Sequence, residues 1–122
     1  MSAIQVSSSS IIVVTTTDKH DVAETIARHL VTQRLAACVQ VEGPFTSIYR
    51  WHGQIEAATE WRCSIKTTAA AYAEVEEAIR QLHTYDEPEI IVLPITGGST
   101  TYLRWLEQQV EPQSPEGRES AP

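Results

Sequence analysis

The chain lacks any apolar run approaching the ~20 residues that cross a bilayer. Basic residues are few: nine Lys and Arg stand against sixteen Asp and Glu, for a net charge of -7. A surface of that sign attracts neither a nucleic-acid backbone nor an anionic membrane, so no partner of either kind is expected. Cysteine is scarce. Cys38 and Cys63 are the only two, without CxxC spacing, which suits a reducing cytosol better than a disulfide scaffold. The first residues, Met1 to Val6, lack the basic start and apolar stretch of a secretory signal, so a cytoplasmic setting is expected. There is no HxxxH or compact His/Asp cluster, and no G-x-S-x-G elbow, P-loop or G-x-G-x-x-G. No nucleophile–base pair can be identified, so an enzyme is not expected.

What the chain does have is one domain's worth of ordinary apolar residues, 42% of its 122 positions. A chain of this size buries roughly two-thirds of its unfolded surface, enough for one core. Its most informative stretch runs from Leu35 to Glu56. It reads as a long β-hairpin turning at His52-Gly53, since Gly tolerates the positive φ of a tight turn. Pairing across that turn sets Trp51 opposite Gln54, Tyr49 opposite Glu56 and Ile48 opposite Ala57. One face then carries Ile48, Ile55, Ala57, Trp61, Cys63 and Ile65, and the other Phe45, Tyr49 and Trp51. A soluble sheet needs only one apolar face. The second face implies a further packing partner, most simply another copy of the chain.

Ile11 to Val14 read as a buried strand. Asp18 is placed to cap a helix running to about Gln33, with Val22, Ile26 and Leu30 on its inner face. Leu35 opens the second strand, which Gly43-Pro44 interrupts with a bend or bulge. The third strand runs from Ile55 to about Thr67. A helix carrying Tyr72, Val75, Ile79 and Leu82 follows, then a strand from Glu89 to Ile95, and a last helix capped by Ser99. The order β-α-β-β-α-β plus a C-terminal helix is the α+β, ferredoxin-like pattern: a four-stranded antiparallel sheet with both main helices on one face. Residues 1–110 form this domain, and residues 111–122, rich in Pro, Ser, Glu and Gly, are expected to be disordered.

Several stretches, in order and at matching spacing, resemble the CutA family of divalent-cation-tolerance proteins. They are Leu35-Ala-Ala-Cys-Val39, Ser47-Ile-Tyr-Arg-Trp51 with Gly53, Ile65-Lys-Thr67, Leu82-His83 with Tyr85, Pro88-Glu-Ile-Ile91 with Leu93-Pro94, and Tyr102-Leu103 with Trp105. The resemblance covers about Ile12 to Val110. It implies a homotrimer related in architecture to the PII signalling proteins, in a bacterial cytosol, with a link to copper or other divalent metals. Some members carry a Cys where this chain has Thr15 and a His-His pair where it has Leu82-His83, and those groups have been proposed as copper ligands. Thr84 replaces a common Pro.

Cys38 and His83 are the candidate metal ligands. Thiolate favours Cu(I) and zinc. The competing reading of Cys38 is a small apolar residue at a subunit interface, and that of His83 a cation matched to a helix C-terminus. Cys63 reads as plain core. Lys66 stands on the sheet face away from Ile65 and needs a carboxylate if buried, with Glu60 and Glu89 available. A ligand pocket between subunits is expected to contain Lys66, Trp51 and Glu89, with Cys38 nearby. Phe45, Tyr49 and Trp51 are expected at the trimer interface, where aromatics are enriched. Three function classes follow: a metal-binding tolerance protein, a PII-like module holding a small anion or metabolite between subunits, and a trimeric adaptor without ligand.

Overall fold

A computed structural model of the chain describes residues 9–112. The strands are β1 (Ser10–Thr17), β2 (Cys38–Trp51), β3 (Gln54–Thr68) and β4 (Ile91–Pro94), and the helices α1 (His20–Thr32), α2 (Tyr72–Leu82) and α3 (Thr100–Gln109). They form one antiparallel sheet in the order β2-β3-β1-β4. This is the expected ferredoxin-like arrangement.

Alternation along the strands decides which side chains meet the helices. Ile11 and Val13 of β1 and Cys63 and Ile65 of β3 face α1 and α2 and form the core with Ala23, Ile26, Leu30, Val75 and Ile79. Each large aliphatic side chain buried there contributes roughly 1.5–3 kcal/mol. The helix starts one residue later than Asp18 capping implies. Thr17 is buried and its Oγ1 accepts the Lys19 N–H at 3.3 Å, so the exposed Asp18 is passed over and Lys19 becomes the N-cap. At the other end, the amides of Leu35 and Ala36 close onto the Leu30 carbonyl. These residues therefore finish the helix, and the strand opens at Cys38 instead of Leu35.

The hairpin turns where expected, with His52 at φ 51° and Gly53 at φ 77°, both in the left-handed region. Its register is the one read from the sequence: Trp51 faces Gln54, Tyr49 faces Glu56 and Ile48 faces Ala57. The irregularity at Gly43-Pro44 is a bulge, because Glu42 pairs with Arg62 while Phe45 pairs with Glu60. Gly43 has φ 140°, and a Cβ there would lie 2.7 Å from Trp61 Cδ1 and 2.9 Å from the Glu60 carbonyl oxygen, so only glycine fits.

The sheet's second face carries Cys38, Gln40 and Glu42, then Phe45, Ser47, Tyr49 and Trp51, beside Glu60, Arg62, Ser64 and Lys66 of β3 and Ile91 and Leu93 of β4. One end of it is covered by α3, which Ser99 caps by accepting the Tyr102 N–H at 3.3 Å. Leu106 of this helix is buried. Arg34, at φ 59°, donates to the terminal carbonyls of α3, Gln108 at 2.8 Å and Gln109 at 3.1 Å. The Arg34 carbonyl in turn accepts the Glu111 N–H at 2.8 Å. Glu111, placed in the tail from sequence, is therefore held to the body of the domain. The rest of that segment, from residue 113, lies outside the described residues.

Candidate functional site

An open cleft of about 470 Å³ lies between the aromatic face of β2 and the connection from α2 to β4. Ser47, Tyr49 and Trp51 form one wall, Tyr85, Asp86, Glu87 and Glu89 the other, and Thr16 and Glu60 lie on the sheet between them.

The connection is held by His83. Its Nδ1 accepts the Tyr85 N–H at 3.0 Å, which leaves the ring proton on Nε2, and Nε2 donates to the Thr16 carbonyl at 2.7 Å. The residue is buried, and its ring packs against that of Tyr85 with centroids 4.7 Å apart. Both nitrogens are thus engaged by main chain. The ring is a neutral pin, neither offering a lone pair to a metal nor standing as a cation at a helix end. Tyr85, positioned by this pin, donates its hydroxyl to Glu60 Oε2 at 2.8 Å. Burial first, and then the neighbouring carboxylate, raise the Tyr85 phenol well above its usual pKa. Glu60 itself is only 7% exposed. Across the cleft the Thr16 hydroxyl donates to Glu89 Oε1 at 3.3 Å.

Of the residues expected in one pocket, Trp51 and Glu89 do line this cleft. Lys66 and Cys38 do not. They pair with each other at the far end of the sheet, six residues along β3 from Glu60, about 20 Å away. Among the described residues the Lys66 ammonium finds no carboxylate; it donates to the Tyr102 hydroxyl at 3.2 Å and lies 5.3 Å from that ring's centroid. Tyr49 and Trp51 are exposed, and Phe45 is half-buried under the Arg62 guanidinium, 4.5 Å from its ring centroid.

The structure does not bring Cys38 and His83 together within one chain. Cys38 sits on the Lys66 rung and His83 hydrogen-bonds Thr16 on the Arg62 rung, four residues or about 13 Å further along β3. Among the described residues no group of three or more His, Cys, Asp or Glu is placed to hold a metal ion. Thr15 points into the core opposite Cys63, where its buried hydroxyl has no hydrogen-bond partner among the described residues. Cys63, as expected, is core, and burial pushes its thiol up to about 11.

Sequence reasoning did not assemble Glu60, Tyr85, Asp86 and Glu87 into this site. The available signal was parity: Glu60 alternates with Arg62 and Lys66, which placed it on the outer face, but nothing local told which loop would meet it.

Comparison with known proteins agrees with this architecture. Residues 11–109 match the family described as CutA1 divalent ion tolerance protein. The divalent-cation tolerance protein CutA of Thermus thermophilus is 43% identical over 97 residues, covering 80% of this chain and 94% of that one. Protein CutA of Mus musculus is 42% identical over 96 residues, 79% of this chain but 54% of the longer mouse protein. The solved structure of the Thermus thermophilus divalent cation tolerance protein superposes with a TM-score of 0.82 at 41% identity, covering 84% of this chain and 99% of that one. The chain belongs to the CutA1 divalent ion tolerance family.

Proposed function

We propose that the chain acts in divalent-cation tolerance as a cytoplasmic homotrimer that binds a ligand and is not an enzyme. The observation that carries this reading is the apolar surface left uncovered on a single chain. Ile48 and Ile55 are 71% and 63% exposed on one side of the hairpin, Trp51 is 56% exposed on the other, and Ile91 and Leu93 are each 47% exposed on edge strand β4. Contiguous apolar surface on both sides of a projecting hairpin is what a closed assembly of identical subunits would cover, together with the free edges of β2 and β4. Copper, as Cu(I), is one of the soft metals that suit the half-buried Cys38 thiol. On this reading the remaining ligands come from a neighbouring copy, because His83 is held by main chain.

Two measurements on reduced, metal-free protein test the proposal. Light scattering at micromolar concentration should give three times the 13.6 kDa of one chain, and a monomer mass would sink the trimer. Calorimetric copper titration of wild type, Cys38→Ser and His83→Ala should show binding lost in the first variant and kept in the second. Binding should weaken as pH falls, since thiolate must be free to coordinate. Undiminished binding by Cys38→Ser would remove that residue from the site.

A second reading is favoured by one specific observation. Trp51 and Glu89 meet on a concave cleft of a size that suits a small molecule. The trimer would then serve as a PII-like regulatory module, with the cleft as its ligand site.

A further inference from the structure

We infer that the cleft takes a small organic cation, a primary ammonium or guanidinium head on an apolar body. This rests on the second reading above, in which the cleft is a ligand site, and it replaces the anion expected from sequence by a ligand of the opposite charge.

The argument starts from Glu60. A carboxylate buried to this degree is normally paired with a cation. Glu60 has a neutral partner, the Tyr85 hydroxyl, on Oε2, and none of the ion pairs among the described residues involves it. Arg62, two positions away on the same face, is turned to Glu42 at 3.4 Å and to the Phe45 ring. Oε1 of Glu60 therefore has no donor within the described residues, and Glu60 is one of the residues that line the cleft. Of the cleft's carboxylates only Glu87 has a cation beside it among the described residues, Arg80 at 4.0 Å, and Glu60, Asp86 and Glu89 are left without one.

The walls narrow the kind of charge. Asp86, Glu87 and Glu89 join Glu60 around the cleft, and among the described residues no Lys, Arg or His lines it, so an anion is repelled. A bare divalent cation needs several oxygens converging at 2.0–2.6 Å. The carboxylates here do not converge in that way among the described residues, and two of them, Glu60 and Glu89, are already oriented by hydroxyl donors. The remaining lining is aromatic: Tyr49, Trp51 and Tyr85. Ring faces attract a weakly hydrated organic cation, while a primary ammonium or guanidinium also donates the hydrogen bond that Glu60 Oε1 lacks.

The test uses the full chain and agmatine, which carries a guanidinium and an ammonium on four methylenes. Tryptophan fluorescence and melting temperature are followed at fixed ionic strength, with choline, malonate and magnesium chloride as comparison probes. Agmatine should bind, and choline, which offers no N–H, should bind more weakly. Glu60→Gln retains an acceptor for Tyr85 and should keep the fold and mass while weakening agmatine at least about tenfold. Trp51→Phe, which keeps a ring, should weaken it less than Trp51→Ala. Agmatine binding that is indifferent to Glu60→Gln would overturn the inference. So would malonate or magnesium binding in its place, although either result would leave the cleft a ligand site. Absence of binding by every probe would overturn both the inference and the reading beneath it.

Discussion

Glu60 in the middle of β3 accepts the hydroxyl of Tyr85 at 2.8 Å, twenty-five residues away in the connection to β4. This bond ties the floor of the cleft to its wall. Tyr85→Phe should cost about 1–3 kcal/mol, the desolvation left when a buried acceptor loses its donor. Glu60→Gln, which keeps an acceptor, should cost less. Urea unfolding at neutral pH measures both. A Tyr85→Phe variant as stable as wild type would mean that water from the cleft replaces the phenol without loss.

Thr15 should be a site of easy stabilisation. Its hydroxyl is buried without a partner among the described residues, and valine has nearly the same shape. Thr15→Val is expected to stabilise by about 1 kcal/mol and to raise the melting temperature by a few degrees. A lower melting temperature would show that the hydroxyl is satisfied in solution by a group or water that it needs.

Alkaline pH should weaken the fold partly through Cys63. Burial lifts its thiol from 9.0 to about 11, so the folded chain holds this proton after the unfolded chain has released it. The associated stability is fully present below about 9 and declines as pH rises toward 11. Cys63→Ala should start less stable, because it leaves a small cavity, yet fall less steeply across that window. The Tyr72 and Tyr85 phenols, both raised by burial, keep a residual slope in the variant. Chemical denaturation at about pH 8 and about pH 10.5 makes the comparison. Parallel declines in the two proteins would exclude the thiol.

Trp51→Ala separates folding from assembly. The side chain is 56% exposed on a single chain, so the variant should fold with little loss per subunit. In the proposed trimer the same truncation, if the indole is buried between copies, costs on the order of 3–5 kcal/mol at each of three positions. Light scattering across a dilution series should show the variant dissociating at concentrations where wild type does not. Equal masses throughout would place Trp51 outside the interface.

Alternation and turn chemistry made the body of the fold legible. The period of two from Ile55 to Thr67, the His52-Gly53 turn and the Ser99 cap are local signals, and each stands where it was read. The misplacements have physical causes. Cys38, Lys66 and Trp51 do share a sheet face, but sharing a face is not proximity, and thirteen residues of extended chain, about 40 Å, separate Cys38 from Trp51. His83 could be named but not assigned, because its bond to the Thr16 carbonyl depends on where the end of α2 meets the end of β1. The same holds for Tyr102 beneath the Lys66 ammonium and for Arg34 on the last carbonyls of α3. Periodicity within one element carries no record of such meetings.

At the bulge, Gly43 and Pro44 of one strand stand against a single residue, Trp61, of the other. The step works as a change of reading frame along the arm. Before it, even-numbered residues look outward from the sheet; after it, odd-numbered ones do. The aromatic identity of the cleft wall thus depends on a count as much as on side-chain chemistry. Drawing both Gly43 and Pro44 into regular pairing, each opposite its own β3 residue, would keep Tyr49 and Trp51 in the chain but turn them to the back of the arm. Thr46, Ile48 and Arg50 would take their places, and the cleft would exchange two rings for an aliphatic side chain and a guanidinium.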